Sequence, residues 1–131
     1  AMVDDGEPYL LPLNFGYAVR EGKYTLYFHS AHEGRKIEAI RQNPRVAFEM
    51  DCAVEVYAAD AETPCTYSCR FESVMGEGRA RLLETHADKA AALNAIMRQQ
   101  AGREFAFSEA MTAAVAVIAV EVDELSAKRH E

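Results

Sequence analysis

LYFHSAHEGRKIEAIRQNPRVAFEMD, residues 26–51, reads as a strand, a short helix and a second strand. KYTLYFH alternates at the two-residue period of a pleated strand, and RVAFEMD does so again with Val46, Phe48 and Met50 on one side. Between them, EGRKIEAIRQNP sets Ile37 and Ile40 at helical spacing and stops at Asn43-Pro44, because a residue before proline is pushed out of the helical region. The first junction gathers Ser30, Arg35 and Lys36 in a chain with 21 acidic and 14 basic residues. A helix start presents unpaired N–H groups and the positive end of its dipole. With a hydroxyl and two cations beside it, such a start suits an anion, and a phosphate above all.

The bulk properties bound what that anion belongs to. At 131 residues the chain is expected to form one domain spanning 1–131. A net charge of −7 argues against a main role in gripping nucleic acid or an anionic membrane, since both require a positive face. No apolar run is long enough to span a bilayer, and no leader pattern suggests export, so a cytoplasmic location is expected. Cys52, Cys65 and Cys69 are too few for a disulfide framework. CTYSCRF alternates like a strand, which would hold Cys65 and Cys69 about 13 Å apart at roughly 3.3 Å per residue, too far for one zinc. No metal site is expected, because His29 and His32 have no third ligand at a recognisable spacing.

Working outward, Asp5-Gly6 between apolar stretches signals a tight hairpin. YLLPLNF reads as a strand with Tyr9, Leu11, Leu13 and Phe15 on one face, and Pro12 marks an edge, a bulge or a ligand. AADAETP is a loop. CTYSCRFESVMGEGRARLLE reads as one or two long strands in which Gly76 and Gly78 signal a bulge or a close approach. Thr85 with Asp88 caps a helix whose apolar face holds Leu93, Ile96 and Met97 and which Gly102 ends. A second short helix fits SEAMTAA, and VAVIAVEV is apolar on both faces, as in a doubly buried strand. About six antiparallel strands and two or three short helices, with no regular βαβ rhythm, predict an α+β fold of the split β-barrel kind.

The order PYLLPLNFGY, then LYFHSAHEGRKIEAIRQNPRVAFEMD, then CTYSCRFESVMGEGRARLLE resembles the FMN-binding split-barrel proteins related to pyridoxamine 5′-phosphate oxidase. The similarity is greatest to the branch named for Nim-type 5-nitroimidazole reductases, and it runs from about Asp5 to Lys128. It implies a homodimer with FMN at the subunit interface. Ser30, Arg35 and Lys36 would meet the phosphate, Pro12, Leu13, Asn14 and Phe15 would run along the isoalloxazine, and Ser73 and Val74 would approach the flavin. Members of the family begin earlier, so the chain is expected to lack a helix and part of a first strand ahead of the DDGEPY hairpin. The true oxidases carry an arginine and a lysine at the ends of the segment matching Tyr9 to Asn14, and a C-terminal tryptophan. This chain has Tyr9 and Asn14 there and no tryptophan, which argues against a second, substrate phosphate.

The resemblance therefore implies an FMN-dependent oxidoreductase that takes electrons from a reduced nicotinamide or another donor and reduces a small organic acceptor, such as a nitroaromatic. Two alternatives remain open: a flavin-binding or redox-sensing protein without turnover, and a haem- or metal-binding split barrel with His29 as first ligand. His29 itself admits two readings, a catalytic proton donor beside the flavin or a histidine hydrogen-bonded in the barrel wall.

Overall fold

The computed structural model describes residues 1–131. Asp5 and Gly6 both take positive φ, 50° and 81°, the geometry that a two-residue hairpin turn demands. They join β1 (Met2–Asp4) to β2 (Glu7–Tyr9), in register Asp4 with Glu7 and Met2 with Tyr9. After residues 10–15, β3 (Gly16–Arg20) turns back on β4 (Lys23–Ser30). Helix α1 (Arg35–Gln42) follows, then β5 (Arg45–Ala58), a 3-10 turn at Pro64–Thr66, and β6 (Tyr67–Leu82). Helices α2 (His86–Ala101) and α3 (Glu109–Ala113) lead to β7 (Ala116–His130).

The strands make one antiparallel sheet in the order β2-β1-β5-β6-β7-β4-β3. With α1 and α2 packed on it and α3 against α2, this is the α+β split barrel that the patterning predicts. No helix is long and apolar enough to cross a membrane.

Several boundaries differ from the sequence expectation. There are seven strands rather than about six: of YLLPLNF only Tyr9 lies in a strand, at the end of β2, while Gly16–Arg20 forms a strand that the alternation did not mark. Residues 10–15 are irregular, with Pro12 in their midst unable to donate a ladder bond. Cys65 lies in the 3-10 turn, so it shares no strand with Cys69. Strands β5 and β7 run on to Ala58 and His130, past the alternating RVAFEMD and the apolar VAVIAVEV, because β6 supplies partners for both. The glycines of β6 behave as expected: the register shifts between Glu77 and Gly78, and a Cβ on Gly76 would stand 2.4 Å from the Phe48 ring.

Two apolar clusters flank the sheet. Ile37, Ala39 and Ile40 of α1 pack with Met2, Leu26, Ile118 and Val120 on one side. Leu93 and Ile96 of α2 pack with Leu83, Val117 and Ala119 on the other. Strand β7 thus buries alternate residues in each cluster, which is why its sequence is apolar without a break. Helix α2 is capped as predicted, the Thr85 hydroxyl accepting from Asp88 N at 3.1 Å. Buried Lys89 donates to the carbonyls of Thr112 at 3.2 Å and Val115 at 3.0 Å, satisfying acceptors at the end of α3.

At the tip between β5 and β6, the Asp60 carboxylate accepts from the Thr63 hydroxyl at 2.6 Å and from Glu62 N at 3.0 Å. These bonds favour the charged form and hold its pKa below the usual aspartate value. A pKa depressed by folding stabilises the turn at neutral pH, and that contribution disappears as the pH falls through the lowered value. Amide exchange over residues 60–66 should accordingly accelerate, relative to the intrinsic rate, below the ordinary aspartate range. Equal protection at neutral and acid pH would show that the turn does not depend on this carboxylate.

Candidate functional site

The junction between β4 and α1 depends on Gly34, whose φ of 125° and ψ of 169° belong to a region that only glycine enters readily. No side chain caps the helix that follows, so its first N–H groups face outward without a side-chain acceptor. Around this start the predicted cations divide. Lys36 reaches a cavity of about 340 Å³. Arg35 is half exposed, its Nε donates to Asp4 Oδ2 at 2.5 Å, and its guanidinium lies 4.2 Å from the centre of the Tyr9 ring. The Ser30 hydroxyl donates to the Ala31 carbonyl at 2.8 Å and keeps its lone pairs free. His32 is tied elsewhere, Nε2 donating to Ala113 O at 2.7 Å, which anchors this loop to the end of α3.

Residues 10–15 form the other wall. None of their backbone or side-chain polar groups takes part in a hydrogen bond within the chain. Five N–H donors and six carbonyls therefore stand ready for an external partner, since backbone groups are otherwise almost always paired. The pairing of β3 with β4 ends at Gly16 and Tyr27, so residues 10–15 leave the ladder at this point.

The cavity itself is mostly apolar, with Leu11, Pro12, Leu13, Phe15, Phe28 and Phe48 in its lining and Lys36, Glu49 and Asp51 as its charged members. Its volume suits a small organic ligand or part of a larger one. A wider groove of about 760 Å³ shares Leu10, Leu11, Pro12 and Phe48 with this cavity.

Of the residues expected at the site, Pro12, Leu13, Phe15 and Lys36 line the cavity together. Asn14, His29, Ser30 and Arg35 do not. His29 is exposed, and strand alternation places it on the face of Tyr27, which packs toward α2, whereas Leu26 and Phe28 face the cavity side. Ser73 and Val74 of β6 pair with Asp51 and Met50, which line the cavity, but are not in the lining themselves. Asp4 and Tyr9, which hold Arg35, were not among the expected residues. The Asp5-Gly6 turn carries the signal for them, because its register puts both on the face that meets α1. No group of three or more histidine, cysteine, aspartate or glutamate side chains converges anywhere as a metal site would require.

The sequence model described as pyridoxamine 5′-phosphate oxidase matches residues 1–129. Among solved structures, the chain is similar to a candidate 5-nitroimidazole antibiotic resistance protein from Bacteroides thetaiotaomicron. The TM-score is 0.80 at 34% identity, over 96% of this chain and 72% of that one. The flavocytochrome Anf3 of Azotobacter vinelandii matches with a TM-score of 0.73 at 25% identity, over 99% of this chain and 59% of that one. An FAD- and haem-binding protein from Mycobacterium smegmatis shares the fold, with a TM-score of 0.74 at 21% identity, and the chain spans 63% of its length. A comparison with curated proteins finds no significant match. The family match over nearly every residue, together with the split-barrel topology, establishes that the chain belongs to the pyridoxamine 5′-phosphate oxidase-like family.

Proposed function

We propose that the protein is an FMN-dependent oxidoreductase, acting as a homodimer, that passes electrons from a reduced nicotinamide or similar donor to a small organic acceptor such as a nitroaromatic. One observation carries this reading: the unpaired segment 10–15 and Lys36, from the uncapped first turn of α1, line one cavity, and Arg35 precedes Lys36 in that turn. Such a donor set fits FMN, which combines a flat ring with a polar rim and a dianionic phosphate. Ser30, Arg35, Lys36 and the helix N–H groups would hold the phosphate. Pro12, Leu13, Asn14 and Phe15 would meet the ring, with Ser73 and Val74 nearby. The bound flavin supplies the redox chemistry, and the protein supplies position and hydrogen bonds.

The catalytic reading of His29 would need an acceptor that reaches its exposed ring on the α2 face of β4, across the strand from the cavity. His29→Ala should leave FMN binding intact and slow acceptor reduction; unchanged turnover would make the histidine structural. The 34% identity with the candidate nitroimidazole resistance protein favours a nitro compound as acceptor. A cytoplasmic location goes with a reduced nicotinamide donor and with three unpaired cysteines.

Uncovered apolar surface supports the dimer. Val54, Val56 and Tyr67, on the β5–β6 ribbon that extends beyond the barrel, are 57%, 70% and 54% exposed. Phe71, by contrast, is partly covered by His130, with ring centres 5.9 Å apart. A partner subunit laid on the ribbon would cover the first three. Light scattering should find a dimer, and a dilution-independent monomer carrying FMN would exclude this arrangement.

The visible spectrum of the purified protein tests the cofactor. A flavin absorption doublet supports the proposal, a Soret band would point to haem instead, and failure to take up added FMN would overturn it. Anaerobic reduction of the loaded protein by a nicotinamide, followed by reoxidation with a nitroimidazole, separates an enzyme from a flavin-binding sensor.

A further inference from the structure

We infer that the β1–β2 hairpin is a positioning device that sets the guanidinium of Arg35 for the phosphate and so makes the site select phosphorylated over unphosphorylated flavin. The inference rests on the proposed FMN reading and assigns the selectivity to Asp4 and Tyr9, neither of which would touch the isoalloxazine or the reacting atoms.

The geometry begins with the two-residue Asp5-Gly6 turn. It pairs Asp4 with Glu7 and Met2 with Tyr9, and cross-strand partners share a face of the pleat. Met2 is buried against α1 in the first core cluster, so that face points at the helix, and Asp4 and Tyr9 point there with it. Both reach the same side chain. Asp4 Oδ2 accepts from Arg35 Nε at 2.5 Å, and the Tyr9 ring lies 4.2 Å from the guanidinium carbon. An ion pair in the plane of the group and a stack on its face together fix its position and its orientation.

The contact with Asp4 uses only Nε. Neither terminal nitrogen of Arg35 has a hydrogen-bond partner, so four of the five guanidinium N–H donors remain for an anion. An unrestrained arginine would lose rotamer freedom on meeting a phosphate; here that ordering is complete in the folded chain, which leaves more of the contact energy for binding. The Asp4 side chain is 26% exposed, so the pair is partly shielded from the solvent that weakens surface ion pairs.

The experiment titrates FMN and riboflavin into the full chain by flavin fluorescence and reads the ratio of the two affinities. Wild type should prefer FMN. Asp4→Ala should narrow that preference about 3- to 10-fold, the scale of one net hydrogen bond, while riboflavin affinity stays constant. Tyr9→Leu should narrow it and Tyr9→Phe should preserve it, since the stack needs the ring and not the hydroxyl. In an Arg35→Ala background, Asp4→Ala should have no further effect on the ratio.

An unchanged or widened preference in Asp4→Ala would overturn the inference, the widened case showing that Asp4 competes with the phosphate. Parallel loss of both ligands would overturn it as well, by showing that the hairpin supports the fold and not the selectivity. Failure of the FMN reading is distinguishable, because wild type itself would then bind riboflavin as tightly as FMN.

Discussion

Arg35→Ala is expected to weaken FMN by about 1.5 to 3 kcal/mol, the scale of a charge-assisted hydrogen bond, or roughly 10- to 150-fold in affinity. Riboflavin, which shares the ring but lacks the phosphate, should lose almost nothing. The difference follows from where Arg35 sits. It stands at the first turn of α1, outside the lining of the apolar cavity, while Leu13, Phe15 and Phe28 lie within that lining. Lys36→Ala should act in the same direction but more weakly, because a flexible ammonium gives a point charge rather than a planar fork, and added salt should reduce its effect further. Fluorescence titration of both ligands against each variant is the measurement. Equal losses for FMN and riboflavin would mean that the two residues shape the junction and bind no phosphate.

Gly16→Val should destabilise the folded protein by about 3 kcal/mol or more, at the upper end of what overpacking usually costs. A Cβ at this position would lie 2.2 Å from Ile96 N and 2.3 Å from the Ala95 carbonyl carbon. These are backbone atoms of α2, so no side-chain rotation can relieve the clash, and the helix would have to lift off β3. That movement would expose Leu93 and Ile96, which bury the second cluster against Val117 and Ala119. Denaturant unfolding of the FMN-free protein would show a lower midpoint with a similar slope. A midpoint within error of wild type would show that α2 can shift without cost and that the close approach is dispensable.

The hairpin and the uncapped start of α1 with its neighbouring cations were legible for the same reason: both are local. Asp5-Gly6 dictates its turn through φ alone, and Gly34, Arg35 and Lys36 follow one another at a helix start whose properties require no distant residue. The strand assigned to YLLPLNF failed because alternation records which side chains are buried and not whether the backbone is paired. Leu11 and Phe15 do pack against the core, yet residues 10–15 have no neighbouring strand to bond. The ends of β5 and β7 were missed for the converse reason. The last residues of β7 are exposed and mostly polar, Val54 and Val56 near the end of β5 are exposed although apolar, and pairing with β6 keeps both stretches extended. His29 shows the limit of parity arguments, since the alternation that groups it with Tyr27 is silent on which side of the sheet the cavity lies.

By itself the sequence determined the class of fold, the order of its elements, the caps of α2 and the residue types that suit a phosphate, all of them properties of short windows governed by period, turn chemistry and charge. Tertiary structure alone decided that Asp4 and Tyr9 meet Arg35 across 26 or more residues of chain, that Gly16 yields its side-chain space to α2, and that residues 10–15 stay unpaired. These facts depend on how the sheet closes and on which strand lies beside which. That arrangement is set by long-range pairing and by the burial of two separate clusters, and no local window contains it.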